Sequence, residues 1–254
     1  MRSPRTVLGV LILFLLTPMV AAKEEVVSAL SQYRIAITAN FDGSEIFVYG
    51  AIKREQPPPD ERLGVVITIA GPHEPVTVRR KARRAGIWVN TDVVEIKAAP
   101  TFYAVASSAP LTQILNDDED LKHEIRIEEM ITSSDTPTDV ADAQTFSEAL
   151  VRIRQRDGLY VETPGTVAIQ SQTLFGTQVT LPANLVKGEY TATTYITRDG
   201  VVIDKQEKTI RVHKIGLERW IYNLAHEQPV TYGVLAVLIA AVTGWLASAI
   251  FRRI

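Results

Sequence analysis

The chain has 254 residues, with 27 basic and 29 acidic side chains, no cysteine and 46% apolar residues. The absence of cysteine excludes disulfides, thiol nucleophiles and thiolate metal sites. A net charge of −2 gives no electrostatic basis for binding nucleic acid, and a charged fraction of 22% argues against a disordered chain.

Residues 1–22 have the pattern of a secretory signal peptide. Arg2 and Arg5 precede an apolar run that is too short to span a bilayer comfortably. Val20 and Ala22 place small side chains at the −3 and −1 positions of a cleavage site. We therefore predict cleavage after Ala22 and export of the chain from Lys23 onward. The alternative is an uncleaved N-terminal anchor.

Residues 23–108 are predicted to form an N-terminal β region. The run at 65–69 is apolar and β-branched, which predicts a strand buried on both faces. Asp42-Gly43 predicts a hairpin turn between its two flanking strands. The strands are predicted around residues 33–38, 45–50, 65–69, 87–89, 93–97 and 102–106.

Residues 109–157 change to a helical periodicity and are predicted to be a helical insert. One helix is expected over about 121–131. In a later one, Phe146, Leu150 and Ile153 recur on one face. Three residues are expected to mark helix ends in this insert: Pro110, Asp139 and Gly158.

Residues 158–213 are predicted to be a C-terminal immunoglobulin-like β region. Leu185 followed by Gly188 and Tyr190 is typical of the tyrosine corner of such sandwiches. Asp199-Gly200 predicts a hairpin. The predicted fold class is mainly β: one or two immunoglobulin-like β-sandwiches with a helical insert and one C-terminal transmembrane helix.

The C-terminal end carries the strongest membrane signal. Residues 214–229 are predicted to form a juxtamembrane helix, and 230–251 a transmembrane helix. Residues 230–251 hold no charge and give roughly 33 Å of helix, enough to cross a hydrocarbon core of about 30 Å. Residues 252–254 are then a cytoplasmic tail.

The order of these signals predicts the topology. A cleaved signal followed by a stop-transfer helix gives a single-pass protein of the bacterial inner membrane, with its N-terminal domain in the periplasm. Removing the four terminal arginines from a net charge of −2 leaves −6 for residues 23–229. Neither anionic lipid nor nucleic acid is therefore an expected partner of this domain as a whole.

A stripe of small residues at i+4 spacing runs along the predicted transmembrane helix. Such a stripe lets a second helix approach closely, so we expect association with another membrane protein, either a second copy or a multi-pass permease. The alternative is that alanine and glycine are simply common in membrane helices. The candidate residues are Ala236, Ala240, Gly244 and Ser248.

A basic cluster in the N-terminal β region is the candidate anion site. Five cations in six positions could bind a small anion or a lipid headgroup. The alternative is a solvated strand and turn, with its cations paired to the acids at 117–120. The candidate residues are Arg79, Arg80, Lys81, Arg83 and Arg84.

The sequence contains none of the common catalytic or nucleotide-binding motifs, and its four histidines are scattered. We therefore expect neither a catalytic residue nor a metal or cofactor site, and we expect that the protein is not an enzyme. A binding or interaction protein is the favoured class. A periplasmic ligand-sensing or small-anion-binding module is the alternative.

The whole chain resembles an uncharacterised family of alphaproteobacterial transmembrane proteins. The resemblance lies in Phe41-Asp42-Gly43, Gly50-Ala51, Gly71-Pro72, Lys81 through Gly86-Ile87-Trp88-Val89-Asn90, Leu174-Phe175-Gly176, Leu181-Pro182-Ala183-Asn184, Tyr232-Gly233, Gly244-Trp245-Leu246-Ala247 and Phe251-Arg252-Arg253. The family has no assigned activity, so the resemblance implies no catalytic residues. Its genes are sometimes found beside sulfite-exporter-like permeases, which implies an accessory role in envelope transport.

Overall fold

The computed structural model describes residues 24–38, 40–55, 57, 61–132, 143–215 and 224–251. Its strands are β1 (Glu25–Leu30), β2 (Arg34–Ile37), β3 (Ser44–Lys53), β4 (Leu63–Ala70), β5 (His73–Arg84), β6 (Ile87–Pro100), β7 (Tyr103–Ser107), β8 (Tyr160–Pro164), β9 (Ala168–Gln170), β10 (Leu174–Leu181), β11 (Gly188–Arg198) and β12 (Val201–Lys214). Its helices are α1 (Leu111–Ile114), α2 (Asp117–His123), α3 (Ile127–Thr132), α4 (Ala143–Arg156) and α5 (Pro229–Phe251). The predicted signal peptide, the cap at Asp139, positions 216–223 of the juxtamembrane helix and the tail at 252–254 lie outside the described residues.

Two sheets enclose the main hydrophobic core. Sheet A has the order β1-β3-β10-β9, and sheet B has the order β2-β12-β11-β4-β7-β8. Sheet A follows the A-B-E-D order of an immunoglobulin domain, and β12-β11-β4 follows its G-F-C order. The prediction of a mainly β, immunoglobulin-like sandwich is therefore confirmed.

The N-terminal and C-terminal β regions interleave to form this one sandwich. Sheet A joins β1 and β3 to β9 and β10, and sheet B joins β2, β4 and β7 to β8, β11 and β12. Both sheets thus need strands from residues 23–108 and from residues 158–213. The chain builds a single sandwich because strands of the two regions pair within each sheet, β10 with β3 in sheet A and β11 with β4 in sheet B.

The predicted tyrosine corner is present at the start of β11. Tyr190 is fully buried, and its hydroxyl donates a 2.9 Å hydrogen bond to the carbonyl oxygen of Val186. In antibody domains, the residue two positions after the corner tyrosine is a cysteine of the inter-sheet disulfide. Here that position is the buried Ala192. Packing, rather than a disulfide, therefore joins the two sheets at this point.

The central strand β4 is buried on both faces, as its sequence predicts. Val65, Ile67 and Ile69 belong to the core between the sheets, whereas Val66 belongs to a second core on the other side of sheet B. Helices α1, α3 and α4 and the bases of β5 and β6 supply most of that second core. Sheet B is therefore the middle of three layers.

The predicted hairpin at Asp42-Gly43 is wrong. Strand β2 pairs with β12 in sheet B, whereas β3 pairs with β1 and β10 in sheet A. Ile35 and Ile46 enter the same core from these opposite sheets. The two strands cannot pair because burying both side chains requires the chain to cross the sandwich between them.

The single helix predicted over 121–131 is also wrong. Helix α2 ends at Glu124, which adopts a left-handed conformation with φ of 53°, and α3 begins afterwards. The buried Asp120 carboxylate accepts a 2.8 Å hydrogen bond from the backbone N–H of Arg126. This bond stabilises the break, which periodicity alone does not predict.

Helix α4 forms where its apolar spacing predicts, but its buried face is rotated. Phe146 and Leu150 are buried, whereas Ile153 is 42% exposed and Val151 is buried instead. Helix α4 packs beside α3, which places Val151 in the second core. Gly158 follows the helix with φ of 70°, the conformation that glycine adopts most readily at helix ends.

Buried tyrosines make the sandwich sensitive to alkaline pH. Burial raises the pKa of Tyr103, Tyr160, Tyr190 and Tyr195 above the usual value near 10. Three of these hydroxyls donate hydrogen bonds to backbone carbonyls, which require the proton. Their contribution to stability is therefore complete below pH 10 and is lost as the pH rises above it.

We expect the melting temperature to fall as the pH rises above about 10, with the absorbance of these four buried tyrosinates appearing together with unfolding. Thermal melts monitored by circular dichroism, with parallel ultraviolet absorbance, measure both. Ionisation of all eight tyrosines in the still-folded protein near pH 10 would contradict the prediction.

Candidate functional site

The basic cluster lies on a long hairpin that belongs to neither main sheet. Strands β5 and β6 pair only with each other and are joined by a turn at Ala85-Gly86. Val78 and Val94 are the last buried residues before the turn, and both belong to the second core. Between them, residues 79–93 include no buried side chain. The base of the hairpin therefore anchors it, and its outer half is exposed.

A cavity of about 300 Å³ lies between β5 and α4. Arg79 and Arg80 line it from the strand, and Arg152 lines it from the helix. The Arg80 guanidinium lies 4.7 Å from the centre of the Phe146 ring, a cation–π distance. The structure thus brings two predicted anion-site residues together with a third arginine.

The same cavity also contains a carboxylate. Glu148 lines it one helical turn before Arg152, and its Oε1 accepts a 3.0 Å hydrogen bond from Gln144 Nε2. An anion entering the cavity would meet attraction from the arginines and repulsion from this group. Among the described residues that line the cavity, three cations therefore accompany one carboxylate.

Three of the five cations, including Arg79 of the cavity, share one face of the hairpin with apolar side chains. Alternation along β5 places Arg79, Lys81 and Arg83 on one side. Their cross-strand partners include Val93, opposite Arg79, and Trp88, opposite Arg83. We call these five residues the hairpin face.

The hairpin face is open to solvent in the described structure. Trp88 is 69% exposed and Val93 is 57% exposed, and Ile87 beside the turn is 64% exposed. Among the described residues, no carboxylate forms an ion pair with Arg79, Lys81, Arg83 or Arg84. Large apolar side chains and cations without a carboxylate partner therefore occur together in this part of the chain.

The acids at 117–120 do not pair with this cluster in the described structure. Arg126 Nη1 lies 3.0 Å from Asp117 Oδ1 and 3.3 Å from Asp120 Oδ2. Glu119 contacts Lys122 and His123 of its own helix. The alternative in which these acids pair with the basic cluster is therefore not found among the described residues, because nearer cations contact Asp117, Glu119 and Asp120.

Sequence reasoning identified the cations but missed their neighbours. Arg152 joins the cavity only because α4 packs against β5. Trp88 and Val93 join the hairpin face only through the register of β6. An Ala-Gly turn is a weak hairpin signal, since Ala85 must adopt a φ of 49° that alanine rarely takes.

The small-residue stripe lies on α5. Within this helix, the segment Pro229–Ser248 is long and apolar enough to cross a membrane, and none of it is buried within the described structure. Ala236, Ala240, Gly244 and Ser248 all lie on this uncovered helix, and a side chain added at Gly244 would meet nothing within 4 Å. A search of the described residues finds no group of three or more metal-ligating side chains.

Comparison with known proteins identifies one family. Residues 25–253 match the family described as "Putative transmembrane protein (Alph_Pro_TM)". No curated protein matches the chain. Among solved structures, the crystal structure of Spo0M, the sporulation control protein of Bacillus subtilis, is similar, with 10% identity and a TM-score of 0.29. That match covers 81% of this chain and 55% of Spo0M, so the chain spans about half the length of that relative.

The residues that match this family include every described strand from β1 onward, the four helices of the insert and the apolar helix α5. The chain therefore belongs to this family of transmembrane proteins.

Proposed function

We propose that this protein is a single-pass binding protein of the bacterial inner membrane. Its sandwich would lie in the periplasm, and α5 would associate with another membrane protein, either a second copy or a multi-pass permease. In the permease case the chain is a transporter-accessory subunit. The short tail after α5 is then cytoplasmic.

One observation carries this proposal: α5 presents a continuous small-residue stripe, and no part of the described chain covers it. Lipid tails pack poorly against such a groove, whereas a second helix gains close van der Waals contact along it. The signal-peptide pattern at residues 1–22 and the two arginines after α5 support the proposed orientation.

Enlarging Gly244 tests the proposal. We expect Gly244→Ile to weaken helix association about tenfold, a loss of about 1.4 kcal/mol, because the added side chain holds the second helix away. Val242→Phe enlarges the opposite side of α5 and is the matched control. Crosslinking in native membranes, followed by gentle solubilisation and mass spectrometry, measures the association and identifies the partner. Equal crosslinking in both variants would remove the support for α5 as the contact.

A small-anion-binding function is the second candidate, and the cavity between β5 and α4 favours it. Arg79, Arg80 and Arg152 line this cavity from two elements. Planar guanidinium groups bind tetrahedral oxyanions through paired N–H donors. Inorganic sulfate and phosphate are the appropriate probes.

Charge changes within the cavity distinguish this candidate from general surface attraction. We expect Arg152→Gln to weaken sulfate binding about tenfold or more, and Glu148→Gln to strengthen it. Arg156→Gln removes an exposed cation of the same helix and is the control. Isothermal titration calorimetry on the detergent-solubilised protein measures all three. Equal losses for Arg152→Gln and Arg156→Gln would reject a defined site.

A further inference from the structure

The hairpin of β5 and β6 combines positive charge with exposed apolar side chains. Its exposed half, residues 79–93, holds five cations and one carboxylate, Asp92, whereas residues 23–229 as a whole carry a net charge of −6. It also exposes Ile87 and Trp88 at and beside the turn. A solvated strand gains nothing from large exposed apolar groups, so their presence among cations points to a binding surface.

The hairpin face has the composition of a surface that enters a lipid headgroup layer. Tryptophan favours this layer because its ring is apolar while its N–H can remain hydrated. Arginine and lysine beside it meet the phosphates, with their aliphatic stems lying along apolar groups. Arg83 lies directly opposite Trp88, which brings both interactions to one spot.

The place of the hairpin in the sandwich suits this role. Ala70, the last residue of β4 before the hairpin, pairs with Thr191, and Val212 near the end of β12 pairs with Gly188. Gly188 also lies against Pro72, which begins the hairpin. The hairpin thus leaves sheet B at the same end from which the chain continues toward α5.

The exposed half is long enough to extend well beyond the body of the domain. Ala85 in the turn is the seventh residue after Val78, the last buried residue of β5. An extended strand covers about 23 Å over these seven steps. A tethered domain needs only weak additional attraction to hold such a hairpin at a surface, because α5 keeps the local lipid concentration high.

We propose that the hairpin face docks on anionic phospholipid headgroups of the bilayer in which α5 is anchored. Arg79, Lys81 and Arg83 contact the phosphates, and Trp88 enters the interface. The inference rests on the membrane anchoring of α5 and is independent of whether α5 also binds a partner helix. The docked hairpin would set the orientation of the sandwich relative to the membrane.

Trp88 itself provides the readout. The chain has three tryptophans, so Trp220→Phe and Trp245→Phe leave Trp88 as the only tryptophan whose fluorescence is measured. The full chain is reconstituted in vesicles of phosphatidylcholine alone, or of equimolar phosphatidylcholine and phosphatidylglycerol, each with brominated acyl chains. We expect bromine to quench Trp88 and its emission to shift to the blue in the anionic vesicles, with little change in the neutral ones.

Charge variants then test which side chains hold the hairpin. Lys81→Gln with Arg83→Gln is expected to shift docking about twenty-five-fold toward the free state, a factor of about five per cation. Neither residue is buried, so the fold should not change. Lys205→Gln with Arg211→Gln removes two cations of β12 and should leave the quenching unchanged. Raising the salt concentration should also release Trp88.

Any of three results would overturn the proposal. Equal quenching in neutral and anionic vesicles, or quenching that survives the loss of Lys81 and Arg83, would exclude recognition of anionic headgroups. An unquenched Trp88 in anionic vesicles, while α5 still resists alkaline extraction, would show anchoring without docking. A protein partner for the hairpin face would then replace the lipid.

Discussion

Replacing Arg198 by alanine is expected to lower the free energy of unfolding by about 3–5 kcal/mol, because it leaves a buried carboxylate without its principal partner. Arg198 donates two hydrogen bonds to Glu24, from Nε at 3.0 Å and from Nη2 at 2.9 Å. Its Nη1 donates a third, 2.8 Å long, to the carbonyl oxygen of Glu61. Both charged side chains are only 5% exposed.

A third charge completes this cluster. Arg54 Nε lies 2.9 Å from Glu24 Oε1, but it is not directed along a hydrogen bond, so this contact is an ion pair. Glu24 directly precedes β1, and the cluster ties this end of the described chain to β11. Glu24→Ala should therefore destabilise the sandwich to a similar degree, because it removes the carboxylate that both buried arginines share.

An exposed ion pair provides the control. Arg211 and Glu189 also join β12 to β11, with a 3.4 Å separation, but their side chains are 73% and 70% exposed. Arg211→Ala should therefore leave stability almost unchanged. Chemical denaturation followed by circular dichroism measures each variant. If Arg198→Ala lowers the free energy of unfolding no more than Arg211→Ala does, burial of the ion pair does not determine how much stability its loss removes.

Phe102→Ala is the second large expected effect, about 3–5 kcal/mol, because it opens a cavity in the core between the sheets. Phe102 is 1% exposed, and its ring centre lies 6.3 Å from that of Tyr190 at the tyrosine corner. The same truncation at Trp88, which is 69% exposed, should change stability by no more than about 0.5 kcal/mol.

This pair of variants separates folding from function. Phe102→Ala should lower the midpoint of chemical denaturation, whereas Trp88→Ala should keep the fold and remove only a contact of the hairpin face. Denaturation of both variants in the same detergent gives the comparison. A strongly destabilised Trp88→Ala variant would mean that Trp88 packs inside the folded domain, contrary to its exposure.

Several features of the fold could be predicted because their causes are local. The apolar run of β4 predicted burial on both faces, since a strand that buries only one face would alternate. Tyr190, following Leu185 and Gly188, predicted the corner, because its hydroxyl reaches a carbonyl only four residues away. The hairpin at Asp199-Gly200 followed from a turn that two residues determine.

Other features escaped prediction because their causes are distant in sequence. Strand β1 was not predicted. It forms through pairing with β3, and side-chain oxygens of β12 accept hydrogen bonds from the Val26 and Ser28 N–H groups. The crossing after β2 depends on a parallel pairing with β12 more than 170 residues later. Long-range pairing of this kind leaves no periodic signal in the segment that undergoes it.

The candidate site also has features that the sequence predicts and features that depend on contacts between distant segments. The five cations are visible in the sequence, and so is their contrast with an acidic domain. Their separation into a cavity group and a hairpin face is not visible. Arg152 joins the cavity from an element about 70 residues away, and Trp88 meets Arg83 only through the strand register.

Composition and order along the chain are thus enough to establish a cysteine-free, mainly β domain followed by an apolar helix. These properties depend on the residues themselves and on interactions between near neighbours. The tertiary structure alone decided that both β regions form one sandwich and that Arg198 forms a buried ion pair with Glu24. It also decided which cations face a cavity and which lie beside Trp88, because packing between distant segments determines the surroundings of a side chain.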